Sequence, residues 1–296
     1  MTKTSIYDEV TDSIIEQLKQ GSAPWVQPWT TTGQPPSMPA NATTNNFYSG
    51  INILLLWASA AQQDFTQGQW VTYKQAQAIG GQVKKGAKGT RVVFASTFTP
   101  KTETIDAAIQ GRDAKSFNFL KRYTVFNIAQ CDGLKADTPE KAMPHDTAQK
   151  IQHYDEIIKA TGADFRIGGD EAFYDAEQDF IRTPDPRAFE DQINWYRTAF
   201  HELGHWTMHS SRCDRAKSKF DGLRALAFEE LIAELCAAFC CAHLGIKPTV
   251  RHSDYIATWL KALQNDNKFI FRAASQASKA ANFILKNTDT NQQAAA

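Results

Sequence analysis

The sequence predicts an α+β protein of two domains, a mixed α/β N-terminal domain over residues 1–130 and a mainly helical C-terminal domain over residues 147–288. Three observations carry this reading. Residues 90–99 and 117–128 are rich in Val, Phe, Tyr and Thr, the composition of β-strands. From residue 147 onward the apolar residues recur mostly at helical spacing. Between the halves, residues 131–146 (CDGLKADTPEKAMPHD) combine a glycine, two prolines and few apolar groups, which marks a linker.

The elements follow in order. Ile6, Val10, Ile14 and Leu18 are four apart and Gly21 stops them, so residues 4–20 form an amphipathic helix. Residues 22–46 hold five prolines with Trp25 and Trp29 among them and read as loop. Residues 51–62 read as a buried helix, and 73–79 as a short helix ended by Gly80-Gly81. The polar stretch 100–116 reads as a hairpin loop between the two strands. In the second half, helices are expected at 147–161, 188–209, 223–243, 253–264 and 269–285. Two short strand pieces are expected within 165–181, and residues 289–296 read as a flexible tail.

With 42% hydrophobic residues in 296, the chain can bury a core and is not compositionally disordered. Its net charge is zero, but residues 21–130 carry ten Lys/Arg against four acids, which places any polyanion on the first half. The five cysteines have no CxxC spacing, and Cys236, Cys240 and Cys241 fall in an apolar helical run. The N-terminus shows no apolar signal segment, and the apolar run 51–61 is too short for a bilayer. A cytoplasmic protein without a membrane partner is the expectation.

The chemistry concentrates at His201-Glu202-Leu203-Gly204-His205. On a helix, residues i and i+4 share a face, so two imidazoles can reach one divalent ion. Glu202 beside them can act as general base toward a water. A chance HExxH is expected in on the order of one chain in a hundred, and the apolar stripe Phe189, Ile193, Tyr196, Phe200, Leu203 supplies the helix it needs. A third ligand is required. Glu229, Glu230 and Glu234 lie in an apolar helical run, where carboxylates need partners. Glu230 is the preferred ligand, and Glu234, four residues on, would hydrogen-bond a ligating histidine from behind. Glu229 points about 100° away and reads as solvated or helix-capping. One divalent ion, zinc, is the expectation, although the donors do not distinguish it from manganese or another ion. Tyr174 or Tyr196 could stabilise an oxyanion, and His209 marks the end of the helix.

Residues 65–102 carry six basic residues and no acid, interleaved with aromatics. Lys74, Lys84, Lys85, Lys88 and Arg91 are candidates for phosphate contact, with glycines that allow close backbone approach. Trp25, Trp29, Trp70 and Tyr73 are candidates for stacking on unpaired bases. Trp57 and Phe94 read as core.

Taken together, Pro24-Trp25, Pro28-Trp29, Tyr48-Ser49-Gly50-Ile51-Asn52, Trp70-Val71-Thr72-Tyr73-Lys74 and Gly81-Gln82-Val83-Lys84-Lys85-Gly86 resemble the N-terminal domain of the ArdC antirestriction family. That domain is similar in turn to the N-terminal part of TraC-type plasmid primases. The run His201 to Trp206, Ser210-Ser211-Arg212 and Glu229 to Glu234 resembles the zincin-like metallopeptidase domain of the same family. The resemblance implies a first domain that binds single-stranded DNA and a second built like a zinc peptidase. It implies a plasmid-encoded protein that protects incoming conjugative DNA from host restriction. A metalloprotease that cleaves proteins on single-stranded DNA, host restriction proteins among them, is the alternative. A pure DNA-occluding protein with a structural metal is a third reading.

Overall fold

The computed structural model describes residues 5–20, 23, 25, 37–135, 147–215, 220–247 and 255–294. The first domain contains α1 (Ile6–Lys19), β1 (Ala40–Asn41), α2 (Ile51–Gln62), β2 (Gln69–Thr72), α3 (Tyr73–Ala78), β3 (Gln82–Val83), β4 (Thr90–Phe98), α4 (Lys101–Gln110), β5 (Phe117–Asn127) and β6 (Cys131–Asp132). The second contains α5 (Thr147–Ala160), β7 (Asp164–Ile167), β8 (Phe173–Asp175), β9 (Phe180–Thr183), α6 (Gln192–Trp206), α7 (Gly222–His243), α8 (Ile256–Asn265) and α9 (Phe269–Ala294). Among the described residues no helix is long and apolar enough to cross a membrane.

The main sheet of the first domain has the order β1-β2-β5-β4. β4 and β5 pair from Thr90↔Val125 to Phe98↔Phe117, whereas β2 reaches β5 only at Val125, Phe126 and Asn127. The far half of the β4–β5 ribbon therefore extends beyond the sheet as a two-stranded arm. α2 covers the near half of the β4 edge: Asn52 Nδ2 donates to Val93 O at 2.8 Å, and Val93 N donates to Asn52 Oδ1 at 2.8 Å. That side chain occupies backbone groups that an edge strand otherwise leaves open to pairing.

Four expectations are corrected here. The stretch read as a hairpin loop contains α4, which starts after Pro100 and closes on Gly111 in the left-handed conformation (φ 62°). Glu103 in its first turn accepts from Arg112 Nη1 at 2.6 Å and from Lys115 N at 2.9 Å. The helix shows no buried stripe, since Ile105 and Ile109 are exposed and only Ala107 is buried, so periodicity could not mark it. The second-domain sheet has three strands in the order β7-β9-β8 rather than two, with the buried β9 at its centre. α6 starts at Gln192, capped by Asp191, while Asp185-Pro186 opens only a 3₁₀ turn. α9 in turn continues to Ala294, through most of the stretch read as a tail.

The two domains share one core. Val10, Ile14 and Leu18 of α1 and Ile53, Leu54 and Trp57 of α2 belong to the same buried cluster as Phe239, Trp259 and Phe269. Trp57, read as core from the sequence, packs edge-to-face on Phe239 at 5.7 Å. Polar contacts cross as well: Thr11 Oγ1 donates to Asn267 O at 2.8 Å, and Gly50 N donates to Ser278 Oγ at 2.7 Å. The N-terminal domain is thus joined to the second through buried helix faces, whatever the linker does. Residues 136–146 of that linker lie outside the described residues, and its start, Cys131–Asp132, pairs with β3.

α6 and α7 pack closely at Gly204, where an added Cβ would stand 3.0 Å from Ala233 Cα and 3.3 Å from its carbonyl oxygen. Helix propensity favours alanine there by about 1 kcal/mol, but overpacking a tight core costs about 1–3 kcal/mol. Gly204→Ala is therefore expected to destabilise the protein by about 1 kcal/mol net, and Gly204→Val by more, in denaturant unfolding. A midpoint that stays constant or rises would show that the two helices can part freely.

Candidate metal centre

Two helices build the centre. α6 places His201 and His205 one turn apart on its inner face, with His201 and Glu202 both buried. α7 brings Glu230 against them. His201 Nε2 and His205 Nε2 are 3.2 Å apart. Glu230 Oε2 lies 3.7 Å from His201 Nε2, and Glu230 Oε1 lies 3.4 Å from His205 Nε2. Donors held about 2.0–2.2 Å from a tetrahedral ion stand about 3.3–3.6 Å from one another. The three side chains match that spacing closely, and a set of two imidazoles and one carboxylate suits a divalent ion.

Carboxylates face both imidazoles from behind. Glu234 Oε1 is 3.9 Å from His201 Nδ1. Glu229 Oε1 is 3.7 Å from His205 Nδ1 and accepts from Arg215 Nη2 at 2.7 Å. Glu229 is only 16% exposed, which corrects its reading as a solvated acid. The helical wheel misled because α7 is buried around most of its circumference from Ala227 to Ala242, so 100° of rotation does not reach solvent. Arg215 also donates to Gly204 O at 2.8 Å and to Thr207 Oγ1 at 2.8 Å, tying the end of α6 to α7. Nothing in the sequence marks Arg215, which sits in an ordinary charged stretch.

This packing sets the protonation. Burial opposes a charge on His205, but the carboxylates of Glu229 and Glu230 outweigh it and push its pKa up to about 10. Burial works against ionised Glu230 as well, yet the two imidazoles hold it well below the usual carboxylate range.

The centre opens into a cavity of about 1140 Å³ whose walls come from both domains: His201, Glu202 and Tyr174 on one side, Asn52, Val93 and Phe94 on the other. Tyr174 donates its hydroxyl to Asp179 Oδ1 at 2.8 Å and accepts from Arg212 Nη2 at 3.1 Å. Burial and the neighbouring Asp179 push its pKa up to about 12, which keeps it a phenol. Tyr196, the other oxyanion candidate, is buried in the core with its hydroxyl on Asp155 at 2.7 Å.

The expected nucleic-acid residues are dispersed. Trp25 is 1% exposed and packs edge-to-face on Trp259, so it presents no face to a base. Trp70, also 1% exposed, is buried with Leu56, Val92 and Val125. Both readings as stacking residues are corrected. A large indole in a loop or strand is worth more in the core than at the surface. Trp29 lies outside the described residues. Tyr73 is exposed on α3 next to Lys74, and Lys85 and Lys88 are exposed on the β3–β4 turn. Lys84 donates to Ala129 O at 3.0 Å, and Arg91 pairs with Glu9 at 2.7 Å. Phe94, read as core, is 60% exposed.

Metal binding must displace the proton that the acids place on His205. Apparent affinity for Mn²⁺ or Zn²⁺ is therefore expected to rise with pH, by up to about tenfold per unit between about pH 6 and 8 for one displaced proton. The rise runs in this direction because His205 is protonated below its raised pKa of about 10. A flat profile in a chelator-competition titration would mean that the ring is already neutral in the metal-free protein.

Comparison with known proteins agrees with this architecture. Residues 4–126 match the family described as the N-terminal domain of anti-restriction factor ArdC, and residues 152–276 match a zincin-like metallopeptidase family. An uncharacterised protein, y4eC of Sinorhizobium fredii, is 36% identical over 96% of this chain and 92% of its own length. Two DNA primases TraC of Escherichia coli are 38% and 39% identical over 96% of the chain, which spans only 20% and 27% of their lengths. The crystal structure of the antirestriction protein ArdC from plasmid R388, metal-free, superimposes with a TM-score of 0.81 at 36% identity, covering 97% of this chain and 99% of that one. Its Mn(II)-bound form superimposes with a TM-score of 0.78 over 96% of this chain and 98% of that one. With an ArdC-type first domain, a zincin-like second domain and full-length likeness to solved ArdC structures, the chain belongs to the ArdC family of antirestriction proteins.

Proposed function

We propose that this protein binds single-stranded DNA through its first domain, shields incoming conjugative DNA from restriction in the cytoplasm, and carries a zinc-dependent peptidase-type centre in its second domain. The observation that carries the reading is the convergence of His201, His205 and Glu230 on a cavity walled by both domains. A divalent ion held there would supply Lewis acidity to a carbonyl and to water. Glu202, buried beside the ligands, takes the proton from the attacking water and delivers it to the leaving amine. Glu229 and Glu234 hold the two imidazoles in orientation. Tyr174 lies on the cavity wall, and to donate to an oxyanion it would have to release the hydrogen bond it gives Asp179.

DNA attraction rests on the excess of Lys/Arg in residues 21–130 and on the exposed Lys74, Lys85 and Lys88. A second reading, a metalloprotease acting on proteins carried by single-stranded DNA, is favoured by one observation: the first domain supplies Asn52, Val93 and Phe94 to the wall of the metal cavity.

Two variants separate the readings. Glu202→Ala is expected to keep the bound metal and the protection of transferred plasmid DNA in cells, while any peptide hydrolysis falls by about a thousandfold or more. Loss of protection with DNA binding intact would favour the protease reading. Lys85→Ala with Lys88→Ala is expected to weaken oligonucleotide binding and to reduce the salt slope by about one to two charges. An unchanged salt titration would remove the β3–β4 turn from the interface.

A further inference from the structure

The rings expected to stack on bases are buried, yet the first domain exposes a different set. On the arm formed by β4 and β5, the pairs Val92↔Tyr123, Phe94↔Lys121, Ser96↔Phe119 and Phe98↔Phe117 share one face, because directly paired residues of an antiparallel ladder do so. That face carries five aromatic rings, with Phe94 60%, Phe98 57%, Phe117 60%, Phe119 38% and Tyr123 46% exposed. The opposite face of the same segment holds Val93, Ala95, Thr97, Leu120 and Arg122 and no ring. We infer that the aromatic face of the β4–β5 arm is the platform on which this protein stacks unpaired nucleic-acid bases.

Four observations support the assignment, which rests on the single-stranded DNA reading above. Contiguous exposed aromatic surface of this kind is uncommon on a soluble protein without an occupant. On β5 Phe117 and Phe119 are two residues apart, about 6.8 Å, twice the 3.4 Å rise between stacked bases, while Phe94 and Phe98 on β4 are four apart, so each ring can take a base opened from its neighbours. The occupant is anionic by charge complementarity: β4 and β5 carry Arg91, Lys121 and Arg122 and no acid. Lys121 lies over the Phe119 ring at 5.4 Å on the aromatic face itself, where a cation can meet the phosphate of a base stacked beside it. Arg91 and Arg122 lie on the opposite face and both pair with Glu9, so among the described residues of the arm Lys121 is the cation of the aromatic face. A duplex hides its base faces, so the platform selects unpaired strands.

The basic β3–β4 turn lies at the other end of β4, about 27 Å away at 3.4 Å per residue. The rings farthest from that turn, Phe98, Phe117 and Phe119, can therefore be substituted without touching it.

The test uses the full chain and fluorescein-labelled oligo-dT in anisotropy titrations at several salt concentrations. Phe98, Phe117 and Phe119 are exposed and lie away from the metal cavity, so Phe98→Ala/Phe117→Ala/Phe119→Ala should leave metal binding and thermal unfolding unchanged. Its affinity for oligo-dT is expected to fall by about tenfold or more with the salt slope preserved. The tyrosine triple variant, which keeps the stacking faces, should bind within about threefold of the parent. Equal affinity of the alanine variant and the parent would overturn the assignment. So would a parent that self-associates in sedimentation velocity when the alanine variant does not, with both binding oligo-dT alike. In that case a second copy of the chain occupies the arm, joined by the exposed Ile105 and Ile109 of α4. A parent that fails to bind oligo-dT at low salt overturns the underlying reading instead.

Discussion

At Gly204 the backbone of α6 lies against Ala233 of α7, so close that an added Cβ would stand 3.0 Å from Ala233 Cα. That approach holds the metal centre together, because the two histidines stand on one helix and the three acids that answer them stand on the other. Ligand atoms 3.2–3.7 Å apart require the helices to be fixed to a fraction of an ångström. Arg215 reinforces the same contact, reaching Gly204 O on one helix and Glu229 on the other.

The arrangement is expensive before a metal arrives. Burying several carboxylates and imidazoles costs free energy unless each has a partner of opposite charge. The protein meets this by pairing: Glu230 sits between both rings, Glu229 between His205 and Arg215, and Glu234 behind His201. The raised pKa of His205 is the consequence, with a proton standing where a divalent ion can. The site is therefore formed by folding and tuned by protonation, since the helices that carry it belong to the shared core.

The same core explains why the domains act as one unit. α1 and α2 belong to the first domain by sequence but bury their apolar faces among α7, α8 and α9. This leaves β4 with one edge segment under α2, with Val93 and Phe94 on the wall of the metal cavity and the rings of Phe98, Phe117 and Phe119 exposed beyond it. An exposed aromatic face and a zincin-like centre on adjoining surfaces follow from how the two domains dock, and neither domain alone contains both.

Spacing and period were legible in the sequence. HExxH on an amphipathic stripe determined that two imidazoles and a glutamate share a helix face, and an apolar helix holding Glu230 and Glu234 announced carboxylates in need of partners. The strands at β4 and β5, the helix α2 and the basic character of the first half could be read in the same way. Burial could not, because it depends on which faces the tertiary fold covers. Trp25 and Trp70 resemble stacking residues by composition and are core by position, while Phe94 is the reverse. Glu229 looks solvated on a wheel and is closed in by Arg215, fourteen residues away. Local periodicity records what each segment prefers, and only the packing of α6 on α7 and of α2 on β4 decides which side chains meet.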